Sequence, residues 1–243
     1  MFDAYADTFA ERGASYEAAM RAWPDARRAE FAAIVAAADL QPGHAVADVP
    51  SGGGYLAALL PIGARYTAVD AAASFLGAAP DALAWSQGAS PVAPGSQDRV
   101  LSLAGLHHLP DRRPVFAAFF EMLRPGGRVV VADGAAGSPV ARFLDDFVDR
   151  FVPGGHQGRW FDAGIADELA AVGFVDAQTE LVPTPWRLAD EASAVAFVRG
   201  LFGLRGASDA EIASALNEDL GAALSATSAT IPWALQFATA RRP

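Results

Sequence analysis

Residues 44 to 55 read HAVADVPSGGGY, an apolar run that ends in an aspartate and is followed by a proline and a glycine-rich turn. The small and β-branched residues at 44–49 suit a buried strand. Glycine lacks a Cβ atom, so it can adopt positive φ values and lets a ligand approach the backbone, at a cost in conformational entropy. Flexible residues directly after a rigid strand therefore predict a ligand-binding turn.

Alternating strand and helix patterns continue on the carboxyl side of this turn. Short apolar runs predict strands, and turn residues separate them from the helical patterns. The predicted strands after 44–49 are RYTAVD (65–70), a weak ALAW (82–85), RVLSLAG (99–105), RVVVADG (128–134), FVDAQTELV (174–182) and IPWALQFATARR (231–242). This alternation predicts an α/β protein whose parallel sheet carries helices on both faces.

Helical patterns lie between the strands and in segments outside them. YLAALLP (55–61) follows the glycine turn, and PVFAAFFEML (114–123) ends at the turn RPGG. An alanine-rich helix over 15–38 is interrupted at Trp23-Pro24 and restarts at Asp25, because proline lacks the N–H that a helix needs and disfavours helix at the residue before it. Further helices are predicted at 140–152, 162–173, 189–203 and 209–224, the last with a Ser208–Glu211 capping box.

Composition and charge limit the function classes. The chain has 243 residues, 52% of them hydrophobic, which is enough to bury the core of one α/β domain. Its basic residues are all arginine and the net charge is −10, whereas nucleic-acid binders display a basic stripe. No apolar run reaches the about 20 residues of a membrane span, and no signal pattern opens the chain. We therefore expect a cytoplasmic protein that acts on neither nucleic acid nor membranes.

Several chemistries are excluded by missing residues. Cysteine is absent, which excludes disulfides, thiolate nucleophiles and cysteine metal sites. Glycines 52–54 do not complete the G-x-G-x-x-G of nicotinamide sites, and a P-loop needs a lysine that this sequence lacks. What remains is Asp48 at the end of the first strand, a glycine turn, and Asp70 at the end of the next strand.

The order of these features, continued by LHHLPDRRPVFAAFFEMLRPGGRVVVADG at 106–134, resembles the class I S-adenosylmethionine-dependent methyltransferases of the type 11 group. The resemblance extends over residues 40–180 and implies a Rossmann-like, doubly wound sheet of seven strands, mostly parallel with an antiparallel last strand. It implies one domain over 1–243, with a helical cover at 1–40 and helical insertions at 137–160 and 187–226 that form a cap.

The same resemblance implies an S-adenosylmethionine site. Gly52 and Gly54 would let the backbone approach the methionine portion, Asp48 would orient the turn and the ammonium group, and Asp70 would accept both ribose hydroxyls. Two positions depart from the family pattern: Pro50 replaces its first glycine and predicts an extended entry, and Ser86-Gln87 replaces its usual adenine-binding aspartate. The implied cofactor residues are Asp48, Pro50, Gly52, Gly54, Asp70, Ala71, Ser86, Gln87, Leu103 and Ala104.

Catalytic candidates follow the fourth strand. Methyl transfer needs alignment above all, and a base helps only when the nucleophile carries a proton. His107 or His108 could take that proton, since imidazole titrates near neutrality, or one could pack under the sheet and the other cap the next helix. Tyr16 is the third candidate. No metal site is predicted, because His107 and His108 are expected to point apart on a strand.

The acceptor is expected to be a small molecule, methylated on oxygen or nitrogen, as in secondary metabolism (EC 2.1.1.-). Its pocket would draw on aromatic and polar side chains outside the shared core, namely Tyr5, Trp23, His156 and Trp160. Two alternatives stay open: an enzyme that cyclises the aminobutyrate arm of the cofactor, and a non-catalytic cofactor-binding subunit. The chain is expected to be a monomer or a homodimer.

Overall fold

The strands follow the alternation that the sequence predicts. The computed structural model describes residues 2–79, 81–86 and 90–243, so the predicted cofactor residue Gln87 lies outside the described residues. The strands are β1 Ala45–Asp48, β2 Arg65–Asp70, β3 Leu83–Ala84, β4 Gln97–Leu103, β5 Leu123–Asp133, β6 Val175–Pro183, β7 Trp186–Leu188, β8 Ala223–Leu224, β9 Ala229–Ile231 and β10 Ala234–Arg241.

Among the described residues, seven strands form one sheet in the order β3-β2-β1-β4-β5-β10-β6. β1 pairs in parallel with β2 and β4, and β4 pairs in parallel with β5. β10 runs antiparallel to both β5 and β6, which confirms the predicted fold class. Strand order reverses between β1 and β4, so Asp48 and Leu103 end beside the crevice where open α/β sheets bind ligands.

The helices pack on both sides of this sheet. They are α1 Asp3–Ala22, α2 Arg28–Ala37, α3 Ala73–Leu76, α4 Arg113–Met122, α5 Pro139–Arg142, α6 Asp149–Phe151, α7 Ile165–Ala170, α8 Glu191–Phe202 and α9 Asp209–Glu218. A π-helical stretch, Phe143–Val148, lies between α5 and α6, so helix runs through most of the predicted 140–152 segment. The predicted capping box is confirmed, because Ser208 and Glu211 exchange hydrogen bonds at the start of α9.

Several predicted boundaries are wrong. The first helix begins at Asp3 instead of residue 15, and α2 begins at Arg28 instead of Asp25 because turns fill the interval after Trp23. YLAALLP forms only a short 3-10 helix, and RPGG lies within β5 instead of before it. The helix predicted to reach residue 224 ends at Glu218, because Gly221 turns the chain with a φ of 70°.

The predicted helical cap also contains a small sheet. β7, β9 and β8 form an antiparallel three-stranded sheet in that order within the described residues. Trp186 of β7 stacks on Trp233, with ring centroids 3.9 Å apart. α1 packs along α8, so the N-terminal helix and the cap segments are held together.

Candidate functional site

A cavity of about 440 Å³ lies at the carboxyl ends of β1 and β4. Its walls combine the glycine turn, the chain just after β4, and side chains of α1 and α2. Five residues that the sequence assigns to the cofactor line it: Asp48, Pro50, Gly52, Leu103 and Ala104. The other lining residues are Tyr5, Phe9, Tyr16, Arg27, Phe31, Ser51, Tyr55, Leu56, Phe75 and Gly105. We call this space the first cavity.

Asp48 is a buried carboxylate that faces the first cavity. Its Oδ2 atom accepts a hydrogen bond of 2.6 Å from the Tyr66 hydroxyl. Burial raises the pKa of Asp48 to about 7, against the opposing effect of the Tyr66 hydrogen bond, and the nearby Asp70 raises it further. No arginine or histidine among the described residues forms an ion pair with it, so a cationic ligand would stabilise its charged form.

Asp70 ends β2 as predicted, but its carboxylate is bound by the chain itself. Oδ2 accepts hydrogen bonds from the Gly52 N–H at 2.7 Å and the Tyr5 hydroxyl at 3.1 Å, and Oδ1 accepts one from the Ala72 N–H at 2.8 Å. Burial raises the pKa of Asp70 to about 6, although the N–H bonds from Ala72 and Gly52 oppose the shift. Asp70 does not line the first cavity, whereas Tyr5, which donates a hydrogen bond to it, does.

The glycine turn adopts backbone conformations that favour glycine. Gly52 and Gly54 have φ values of 53° and 75°. Gly52 lines the first cavity, whereas a Cβ atom on Gly54 would lie 2.9 Å from the Cβ of Ala79, outside the lining. Of these two predicted cofactor residues, only Gly52 therefore lines the first cavity. The Val49–Pro50 peptide bond is cis.

A second cavity of about 510 Å³ adjoins the first. The two have Phe9, Tyr16, Arg27 and Ala104 in common, so a molecule in one can approach a molecule in the other. The second cavity is mostly apolar and aromatic. Its remaining lining residues are Arg12, His107, His108, Asp133, Gly134, Val140, Leu144, His156, Trp160, Trp186, Leu201, Phe202, Trp233 and Leu235.

His107 is held by the carboxylate of Asp133 at the end of β5. Its Nδ1 atom lies 2.7 Å from Asp133 Oδ1, and its backbone N–H donates to Oδ2 at 2.9 Å. The Gly134 N–H also donates to Oδ1 at 2.8 Å, which fixes the carboxylate. With Nδ1 engaged by Asp133, Nε2 is the ring nitrogen left for a ligand.

His107, His108 and His156 form a cluster whose ring nitrogens lie within 4.8 Å of one another, a spacing that a metal ion could bridge. The expectation that His107 and His108 point apart is wrong, because residues 106–108 form a 3-10 turn and the two ring centroids are 4.0 Å apart. Burial lowers the pKa of His156 to about 2 and that of His108 well below its usual value, and neighbouring His107 and Arg12 add to both shifts.

The structure places the other predicted residues as follows. Tyr16 lines both cavities, His156 and Trp160 line the second, and Tyr5 lines the first instead of the acceptor side. Trp23 lines neither, because it packs edge-on against Phe197 of α8. Ala71 and Ser86 also lie outside the linings of both cavities.

Three charged residues at the site escaped the sequence analysis. Asp133 carried a usable signal, since it ends a strand as Asp48 and Asp70 do. Arg12 belongs to a series at helical spacing with Tyr5, Phe9 and Tyr16, which the late predicted start of the helix concealed. Arg27 carries no such signal: it is buried at the end of a turn, where it binds Glu30 and Tyr16.

Comparison with known proteins agrees with this arrangement. The family model described as methyltransferase domain matches residues 47–131. The resemblance to the methyltransferases is confirmed. That segment begins within β1 and includes the glycine turn, β2, β4 and most of β5, and Asp48, the turn and the residues at the end of β4 line the first cavity.

Solved structures share the fold at low sequence identity. The YcgJ protein of Bacillus subtilis has a TM-score of 0.64 and 18% identity, over 89% of this chain and 99% of that one. A methyltransferase of Thermotoga maritima, described as a possible histamine N-methyltransferase, has 0.63 and 14%, over 98% and 100%. Phosphoethanolamine N-methyltransferase 2 of Haemonchus contortus, bound to S-adenosylhomocysteine, has 0.62 and 16%, over 98% and 60%.

S-adenosylmethionine is the cofactor expected of this domain, and the first cavity fits it. Its sulfonium and ammonium groups suit the buried carboxylate of Asp48, which forms no ion pair within the described part of the chain. The backbone near the cavity is tightly packed, since a Cβ atom on Gly105 would lie 2.5 Å from Pro50 Cγ. None of the helices in the described part of the chain combines the length and apolar character that crossing a membrane requires.

Proposed function

We propose that this protein transfers the methyl group of S-adenosylmethionine to an oxygen or nitrogen atom of a small molecule held in the second cavity. The observation that carries the proposal is the adjacency of the two cavities, which share Phe9, Tyr16, Arg27 and Ala104. One cavity lies where the strand order of the sheet reverses, which is where open α/β sheets bind ligands, and the other is largely apolar. A largely apolar cavity with a few polar groups suits a small acceptor better than a nucleic acid or protein chain.

Bound S-adenosylmethionine supplies an electrophilic methyl group, and its sulfur keeps the electron pair of the carbon–sulfur bond. The protein contributes by aligning the two reactants. Asp48 and the turn at Gly52 line the first cavity, and Ala104 and Tyr16 line both cavities where they meet. Close alignment of the two reactants provides most of the rate in such a displacement. We propose that residues 1–40, 137–160 and 187–226 form the cover that aligns the acceptor and excludes water.

His107 is the base that the geometry favours for removing the acceptor's proton. Asp133 orients its ring through Nδ1, which leaves Nε2 to accept the proton. His108 is less suited, because burial and the neighbouring His107, His156 and Arg12 lower its pKa well below the usual range. Burial raises the pKa of the Tyr16 hydroxyl, which makes it a weaker acid. This hydroxyl accepts a hydrogen bond from Arg27 and lies where the two cavities meet. Asp133 is a positioning residue.

The first test is a calorimetric titration with S-adenosylmethionine and S-adenosylhomocysteine. We expect one-site binding of both by the wild type and weaker S-adenosylmethionine binding by Asp48→Asn. Asp111→Asn serves as the control, because that exposed aspartate lines neither cavity. No binding by the wild type would refute the proposal.

The second test asks which sulfur product forms. We expect S-adenosylhomocysteine to accumulate when the enzyme is incubated with S-adenosylmethionine and a panel of small phenols, alcohols and amines. Methylthioadenosine formed without any acceptor would indicate cyclisation of the cofactor instead. Cofactor binding with neither product across the panel would favour a non-catalytic subunit.

A further inference from the structure

One charged side chain in the second cavity lacks a partner. Arg12, in the middle of α1, is 7% exposed, and its Nε atom is buried with no hydrogen-bond partner among the described residues. Its guanidinium forms no ion pair with any acidic group in that part of the chain. The contact it does make is with an aromatic ring, since its Cζ atom lies 5.6 Å from the centroid of Phe9.

The other charged residues of this cavity are satisfied internally. Arg27 donates from Nε to Glu30 Oε2 at 3.0 Å and also binds Tyr16. Asp133 accepts hydrogen bonds from the backbone of His107 and Gly134 and contacts the His107 ring. A buried charge that lacks a counterion is costly to maintain, so proteins seldom keep one without a use for it. Arg12 is therefore the charged residue of this cavity that has no counterion within the described residues.

We infer that the acceptor carries a carboxylate, bound by the guanidinium of Arg12, on an apolar or aromatic body. This inference rests on the proposed function and names its class of acceptor. Phe9, Trp160, Trp186, Phe202 and Trp233 supply aromatic walls for the body of such a molecule. The guanidinium offers a planar set of donors that matches two carboxylate oxygens, which fixes orientation as well as charge.

The position of Arg12 also fits this role. It lines the same cavity as His107, so an acceptor anchored by its carboxylate can place a hydroxyl or amino group near the His107 ring. Gly203, the residue after α8, lies close to Arg12, since a Cβ atom there would lie 3.2 Å from Arg12 Cγ. The carboxylate would thus be the end of the acceptor that Arg12 holds, and the nucleophilic hydroxyl or amino group would be its opposite end.

A metal ion in the histidine cluster is the competing explanation for polar groups in this cavity. The nitrogens of His107, His108 and His156 are close enough to one another for it. Arg12 opposes it, because it lines the same cavity and its positive charge adds to the effect of burial and of His107, which lower the pKa values of His108 and His156. The same repulsion would act on a divalent cation, whereas an anion would be attracted.

The test uses 2-naphthoate and 2-naphthamide, which share a shape and differ in charge, with the full-length protein saturated with S-adenosylhomocysteine. We expect the wild type to bind the acid at least about 10-fold more tightly than the amide. In Arg12→Met this ratio should fall to about 1, and Arg12→Lys should keep part of it. Arg205→Met is the matched control, because Arg205 forms only an exposed ion pair with Glu11.

Each result decides the inference. Equal affinity of the wild type for acid and amide, including no binding of either, would overturn it, as would an Arg12→Met variant that keeps the preference. Zinc that binds the wild type and displaces 2-naphthoate would overturn it in favour of a metal site. Titration with S-adenosylhomocysteine shows whether each variant is folded. If the wild type does not bind S-adenosylhomocysteine, the proposed function is refuted. If it binds S-adenosylhomocysteine but does not prefer the acid, only this inference is refuted.

Discussion

At the scale of single residues, the pairing of His107 with Asp133 distinguishes two adjacent histidines that the sequence leaves equivalent. Both line the second cavity, but only His107 has a carboxylate within hydrogen-bond distance of its ring. A base that is oriented through one nitrogen presents the other in a fixed direction. The chemical difference between the two residues therefore comes from the end of β5, twenty-six residues after His107.

We expect His107→Gln to lower kcat by about 10²-fold or more while KM for the acceptor changes little, because a general base acts in the transition state. Asp133→Asn should also lower kcat, through loss of ring orientation. The measurement is steady-state kinetics with an acceptor from the product screen. His44→Gln is the control, since His44 lies beyond the amino end of β1. A His107→Gln enzyme with full kcat, together with an impaired His108→Gln enzyme, would transfer the role to His108.

At the scale of elements, α1 contributes side chains to both cavities and to the predicted cofactor residue Asp70. Its Tyr5 binds Asp70, its Tyr16 lies between the cavities, and its Arg12 enters the second one. The alanine-rich pattern predicts a first helix that begins at residue 15, twelve residues too late, so Tyr5 and Tyr16 were predicted separately and Arg12 was missed. Periodicity could have joined them, but the Tyr5–Asp70 contact and the places of Arg12 and Tyr16 in the cavities depend on where the helix docks, which its own sequence does not specify.

We expect Tyr5→Phe to tighten binding of S-adenosylhomocysteine by up to about 10-fold, because Asp70 would lose a competing hydrogen-bond donor worth about 1 kcal/mol. The measurement is calorimetric titration. Tyr66→Phe is the contrasting variant: it removes a donor that supports ionised Asp48 from outside the cavity, so it should weaken binding of S-adenosylmethionine. If Tyr5→Phe weakens binding as well, the Tyr5 hydroxyl stays at Asp70 and contributes to the site.

The glycine turn allows a sharper element-scale test. Gly54 and Gly126 have similar φ values, 75° and 79°, but a Cβ atom at Gly54 would lie 2.9 Å from Ala79, whereas one at Gly126 would meet nothing within 4 Å. Both alanine substitutions carry the cost of positive φ, and only Gly54→Ala adds the clash. We expect Gly54→Ala to lower the free energy of unfolding by about 1–3 kcal/mol more than Gly126→Ala in urea denaturation. Equal losses would show that the Ala79 segment moves aside.

At the scale of the whole molecule, sequence predicts the framework better than the cavities. Strand periodicity and the ordered motifs predict the strands and the mostly parallel sheet, because each strand's pattern is local and the connections follow general rules. The second cavity joins α1, the 140–160 segment, α8 and residues near the small sheet, so its lining depends on contacts between distant parts of the chain. His156 and Trp160 were predicted as side chains outside the shared core, whereas Trp186 joins the cavity only in the folded chain.

Buried acids link cofactor binding to the stability of the whole protein. The pKa values of Asp48 and Asp70, about 7 and about 6, lie above the about 3.9 of an unfolded aspartate. Between these limits the folded protein binds more protons than the unfolded chain, so the contribution of these groups to stability falls as pH rises from about 4 to about 7. Above that range both carboxylates are charged and buried, so a cationic ligand then stabilises the folded protein most.

We therefore expect S-adenosylmethionine to raise the thermal unfolding midpoint more at pH 8 than at pH 5.5, at equal ligand excess, and to release protons on binding near pH 6.5. The measurements are thermal denaturation at both pH values and calorimetry in buffers of different ionisation enthalpy. In Asp48→Asn the difference between the two pH values should shrink, because an amide does not titrate. An equal rise at both pH values in the wild type, without proton release, would mean that Asp48 is already ionised before the cofactor binds, and its burial would then need another compensating charge.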